Sequence, residues 1–162
     1  MPKKELRHPH QVISWLEEWG RQISAPGEMI LIGSAGLLWH AARIGSDAPL
    51  PENSMDADPI TESDSVAELA YEALIGSEFE QRHGWHVNLM HAAVLREFPD
   101  GWRERAHEIA YGQLKVLIPS AIDLITAKLK RNEPRDPEPC RLRFRLGTAL
   151  TSLLPVLRMA LL

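Results

Sequence analysis

One cysteine, Cys140, stands in a chain of 162 residues, and a lone thiol excludes an internal disulfide. No apolar stretch near the start resembles a secretory signal, so the cytoplasm is the expected compartment. Long hydrophobic runs are also scarce. The strongest, Leu146 to Leu162, follows Arg141, Arg143 and Arg145 in the manner of a membrane anchor. Pro155 and Arg158 interrupt it, however, and it falls short of the roughly 20 residues a span needs. It reads instead as a tail that packs or makes a homodimer, and no membrane partner is expected. Internal repeats and low-complexity segments are missing. The histidines, His83 and His91 among them, have no spacing that compels a zinc site. A chain that is 44% hydrophobic and 25% charged can bury a core, so one domain over residues 1–162 is expected, with 137–162 a C-terminal helical tail.

Charge is scarce in net terms but unevenly placed. Residues 1–100 hold 7 Lys and Arg against 16 Asp and Glu, a net of -9, whereas residues 101–162 hold 11 against 6, a net of +5. An acidic half facing a basic half suits a site for a polyanionic nucleotide or RNA, although two such halves also simply attract each other.

The periodicities predict mixed helices and strands. Val12, Ile13, Leu16, Trp19 and Ile23 form the stripe of an amphipathic helix over 9–23, ended by Ala25-Pro26-Gly27. Met29-Ile30-Leu31-Ile32 is a short continuous apolar run of the kind a buried central strand shows. Gly33-Ser34 ends it, and a second helix is expected over 35–43. An exposed connection over 45–53 leads to a strand carrying Asp56 and Asp58. Residues 62–82 read as one helix, capped by Ser63 or Ser65 and closed by Gly84. Residues 85–90 alternate as a third strand, with His86 and Asn88 on one face. Residues 107–110 and 113–118 flank Tyr111-Gly112 as a hairpin, and Pro119-Ser120 opens a helix to about Arg131. Trp15, Trp19 and Trp39 are expected to pack between helices, and Trp102 to anchor a loop. The fold class is therefore α/β (α+β), a small mixed β-sheet flanked by helices.

Chemistry concentrates in Ser54-Met55-Asp56-Ala57-Asp58. Side chains at i and i+2 of a strand project from the same face, so the two carboxylates can grip one hard divalent cation. A glycine at a strand-to-helix turn lets backbone N–H groups approach phosphate oxygens, the helix N-terminus adds partial positive charge, and the Ser34 hydroxyl adds a donor. Gly33 and Ser34 are thus the candidate phosphate clamp.

Leu31 to His40 followed by Ser54 to Asp58 resembles the nucleotidyltransferases of the DNA polymerase β superfamily. More narrowly, it resembles the small bacterial branch that includes abortive-infection toxins of the AbiE type. Asp123, Lys128, Pro134, Arg135 and Asp136 match a second motif of that branch, while Glu133 and Pro139 depart from it. The resemblance spans roughly residues 28–136, about two thirds of the chain. It implies a nucleotidyltransferase-like fold in which Asp56 and Asp58 hold Mg2+ or Mn2+ with Asn88. It also implies that Lys128 pairs with phosphate and that Asp136 orients that lysine or the metal shell. The substrate would be a nucleoside triphosphate, the acceptor a hydroxyl on RNA or protein, and the biological setting a toxin held by an antitoxin. Asn88 stands where active members carry a third carboxylate, and asparagine can ligate but cannot act as the base. His86 on the same face is a candidate surrogate. The alternative is a catalytically degenerate nucleotide-binding or protein-interaction module on the same scaffold.

Overall fold

The computed structural model describes residues 5–50 and 54–131. Its first helix, α1 (Pro9–Gln22), begins at a proline whose missing N–H costs nothing in a first helical turn. The Gln11 side chain reaches back to the backbone N–H of His8 at 2.7 Å and satisfies a donor the helix itself cannot. Val12, Trp15, Leu16 and Trp19 are buried along one side as their spacing requires. The expected short apolar run forms β1 (Gly27–Ile32) and passes directly into α2 (Gly33–Arg43). β2 (Asp56–Thr61), α3 (Asp64–Tyr71), α4 (Glu78–His83) and β3 (His86–Val87) follow. A 3-10 helix (Ala92–Glu97), α5 (Trp102–Arg105), the hairpin strands β4 (His107–Tyr111) and β5 (Leu114–Ile118), and α6 (Ala121–Arg131) complete the described chain.

The five strands make one mixed sheet in the order β3-β2-β1-β5-β4, flanked by helices, as expected. β1 lies at its centre because Met29 to Ile32 bury both faces. It runs antiparallel to β2, with Ile32 opposite Asp58, and parallel to β5, with Ile30 opposite Leu117. β4 and β5 turn about Gly112, which takes a positive φ of 59°. Trp15, Trp19 and Trp39 are buried as helix-packing aromatics, whereas Trp102, expected in a loop, opens α5 and is buried against Phe98 with the Arg103 guanidinium over its ring.

Two further expectations change. The single helix over 62–82 is instead α3, which ends at Tyr71, and α4, with turns between them in which Gly76 adopts a φ of +84° and Ser77 caps the new start, its Oγ accepting from the Glu80 N–H at 3.2 Å. Of the two expected caps, Ser63 stands at the N-cap of α3, with its hydroxyl accepting from the Glu28 N–H, and Ser65 lies inside the helix. The third strand is regular only at His86 and Val87. Asn88 and Met90 still donate backbone bonds to the carbonyls of Ala57 and Pro59, so the segment tracks β2 without continuing a full ladder. The tail over 137–162, with Cys140, lies outside the described residues. Among the described residues, no helix is long and apolar enough to cross a membrane.

Candidate active site

The end of β1 does not loop before α2 begins. Ile32 is still extended while Gly33, at φ +69°, already opens the helix, so the strand turns into helix within one residue. That left-handed conformation suits glycine, and space demands it as well: a β-carbon at position 33 would stand 2.9 Å from Oδ2 of Asp58. The antiparallel register that sets Ile32 opposite Asp58 therefore brings the carboxylate directly against the bend. Ala57, between the two aspartates, is fully buried, which turns Asp56 and Asp58 together to the opposite face.

A cleft of about 200 Å³ opens there, lined by Gly33 and Ser34 from α2, Ser54, Asp56 and Asp58 from β2 and its approach, and Lys128 and Arg131 from α6. Leu124, Ala127, Lys128 and Arg131 all line it because i, i+3, i+4 and i+7 share one helix face. Phe98, after the 3-10 helix, closes its apolar side. Thus five residues singled out in the sequence, Gly33, Ser34, Asp56, Asp58 and Lys128, border one space. The acidic half of the chain supplies its carboxylates and the basic half its cations.

Asp58 is the group this geometry perturbs most. Burial, and then the neighbouring Asp56 charge, push its carboxyl up to about 6, opposed by the Asn88 amide, Arg131 and His86. Asn88 Nδ2 donates to Asp58 Oδ1 at 3.3 Å, so the residue in the third-carboxylate position contacts the acid pair as a neutral donor. His86, opposite Asp56 in the β2–β3 register, has Nδ1 3.1 Å from Oε2 of Glu80.

Asp123, a matching motif position, lies elsewhere. It is buried, accepts two bonds from Arg105 at 2.9 Å and one from the Ser120 hydroxyl at 2.8 Å, and returns its backbone N–H to Ser120 Oγ at 3.2 Å. Its place is the start of α6, which it ties to α5. Asp136 is outside the described residues. Five lining residues were given no role by the sequence reading: Ser54, Phe98, Leu124, Ala127 and Arg131. Only Arg131 left a trace, three positions after Lys128 on the same stripe. A larger cavity, about 630 Å³, lies elsewhere, walled by Trp19, Glu68, Glu72, Glu78, Phe79 and Arg82. Its three glutamates repel phosphate, and it has no glycine-led bend.

A mixed sheet flanked by helices, with an aspartate pair against a strand-glycine-helix turn, is the architecture of a nucleotidyltransferase-like protein. Residues 11–141 match the family model described as nucleotidyltransferase of unknown function (DUF6036), and the chain belongs to that family. No curated protein and no solved structure matches it.

Proposed function

We propose that this chain moves a nucleoside monophosphate from a nucleoside triphosphate to a hydroxyl group on RNA or protein. One observation carries the reading: the glycine bend, the aspartate pair and the cationic face of α6 open on the same cleft. Family membership supplies the reaction class. Two neighbouring carboxylates, one of them resisting ionisation, are a donor set that a hard divalent cation relieves, and oxygen ligands suit Mg2+ or Mn2+. Asp56 and Asp58 would hold such an ion, with the Asn88 amide as a neutral third donor. When bound, it neutralises phosphate charge and polarises the phosphorus under attack.

The remaining work falls to the chain. The first N–H groups of α2 and the Ser34 hydroxyl donate to phosphate oxygens, aided by the positive end of an eleven-residue helix. Lys128 and Arg131 offset charge on the leaving pyrophosphate. The acceptor oxygen bonds to the α-phosphorus while the bond to the β-phosphate bridging oxygen breaks. Pyrophosphate leaves with that electron pair, and the acceptor proton passes to a base or to water. At about 200 Å³ the cleft is below the roughly 300–1,000 Å³ that encloses a whole small-molecule ligand, so it suits the phosphate end and leaves the nucleoside outside.

Asn88 favours a second reading, a degenerate nucleotide-binding module without turnover, because an amide cannot take the proton. The likeness to AbiE-type toxins extends the first reading to a bacterial toxin neutralised by an antitoxin protein. Calorimetry with Mg2+ and each nucleoside triphosphate tests the cleft. Asp56→Ala combined with Asp58→Ala is expected to abolish metal-dependent nucleotide binding in a protein that stays folded, and unchanged affinity would overturn the site. Labelled-nucleotide transfer to cellular RNA and protein then separates enzyme from binder.

A further inference from the structure

The histidines carry no metal signature along the sequence, yet the fold assembles one. His8 and His10 flank Pro9 at the start of α1, and Asp47 comes from the connection after α2, so three donor side chains from two distant segments meet at the surface. Asp47 Oδ1 and Oδ2 lie 2.9 and 3.0 Å from His10 Nδ1, and Oδ2 lies 3.9 Å from His8 Nδ1. All three ligand atoms fall within 4.8 Å of one another. We propose that His8, His10 and Asp47 form a binding site for a borderline transition-metal ion, zinc above all, separate from the cleft of the acid pair.

The geometry favours this. Zinc binds imidazole nitrogen and carboxylate oxygen at about 2.0–2.2 Å in a tetrahedron, which sets its ligand atoms roughly 3.3–3.5 Å apart. The Asp47-to-histidine separations of 2.9 and 3.9 Å straddle that value and the two imidazoles lie within 4.8 Å of each other, so side-chain rotations bring the three donors to it. Two imidazoles and a carboxylate also select zinc, cobalt, nickel or copper over magnesium, which prefers oxygen alone. With the three side chains 42%, 63% and 58% exposed, the remaining coordination position faces solvent, the three-ligand pattern that leaves room for water.

The two segments are held together without the ion, so its binding need not order them. The Leu50 N–H donates to the Arg7 carbonyl at 2.9 Å, and Gln11 Oε1 accepts from the N–H groups of Arg7 and His8 at 2.8 and 2.7 Å. The His10 backbone N–H donates to Asp47 Oδ1 at 3.1 Å, which orients the carboxylate as an outer-shell partner does. A metal here staples the start of α1 to the connection that leads into β2. His8 Nδ1 also lies 3.3 Å from the Asp47 backbone carbonyl oxygen and its ring stacks on His10 at 5.4 Å, so metal binding exchanges that carbonyl contact for a bond to the ion.

Equilibrium dialysis of the metal-free full chain against zinc and cobalt salts tests the site, with thermal unfolding followed in parallel. One zinc equivalent is expected to persist in the Asp56→Asn and Asp58→Asn double variant, to give Co2+ the strong visible bands of a tetrahedral site, and to raise Tm. His8→Gln, His10→Gln and Asp47→Asn, all at exposed positions, should each weaken zinc binding by at least about tenfold, the lower end of what losing an outer-shell partner costs. Zinc stoichiometry and affinity equal to wild type in all three variants would overturn the proposal, as would loss of that zinc only when the acid pair is removed. Either result leaves the nucleotide cleft to be judged by its own calorimetry.

Discussion

Asp58 contributes a pH response to the metal-free protein. Its carboxyl is pushed up to about 6 in the folded chain from the ordinary 3.8, so between those values the folded state holds a proton that the unfolded state has released. Stability contributed by this group is therefore present at low pH and falls as pH rises from about 4 to about 6. Discounted for its partial exposure, the loss is roughly 1–3 kcal/mol. Asp58→Asn is expected to remove that fall. In metal-free buffer, its unfolding free energy relative to wild type should be higher at pH 7.5 than at pH 4, and an equal difference at both would count against the assignment. Asn88→Asp places a third carboxylate against the pair. It should lower the metal-free Tm, make Tm depend more strongly on Mg2+, and raise any transfer rate, which a labelled-nucleotide assay reads directly. Gly33→Ala meets both a positive φ and the Asp58 oxygen. A loss of about 1–2 kcal/mol in urea unfolding is expected from the backbone alone, together with weaker metal-dependent nucleotide binding as the carboxylate is displaced.

Among the elements, α1 and the β4–β5 hairpin are pressed together at Gly20, where an added β-carbon would run into the Tyr111 carbonyl, and Gly112 sits against the Gly20 carbonyl in turn. Glycine to alanine inside a helix ordinarily stabilises by up to about 1 kcal/mol. Here Gly20→Ala is expected to destabilise by about 1–3 kcal/mol, the range of an overpacked contact against rigid backbone, as chemical denaturation would measure. α6 has a different anchor. Asp123 is buried at its first turn with Arg105 and Ser120 as partners, so Arg105→Ala leaves a buried carboxylate short of donors and should lower Tm. Since Arg105 does not line the cleft, nucleotide affinity measured below the new Tm should be nearly unchanged. Elements with strong periodicity were legible: the stripe of α1, the apolar β1, the hairpin about Gly112 and α6. The break between α3 and α4 was not, because the apolar positions on either side keep a helical spacing, while the helix ends at Tyr71 in a run of turns that includes the positive φ of Gly76. Regular β3 is short because pairing beyond Val87 follows the carbonyls of β2, which no local pattern in 85–90 encodes.

Across the molecule, opposed charges of the two chain halves meet over the cleft, where Asp56 and Asp58 face Lys128 and Arg131, and also pair directly as Arg131 with Glu97 and Lys115 with Glu28. At the cleft, electrostatic attraction between the halves and a polyanion site are thus the same arrangement seen without and with a nucleotide. The glycine bend and the aspartate pair could be read from order and spacing, because both are local: a strand alternates its side chains, and a glycine ends a strand wherever a positive φ is needed. Ser54, Phe98 and Arg131 could not, and neither could the grouping of His8, His10 and Asp47. The amino-acid order by itself determined the strongly periodic segments, α1, β1, the hairpin and α6, and the faces they bury, since those follow from periodicities of two and of 3.6 residues. Only the tertiary structure decided which strand end, helix face and connection share a cleft. That depends on sheet order and register, and pairings between residues tens of positions apart leave no mark on the spacing of either partner.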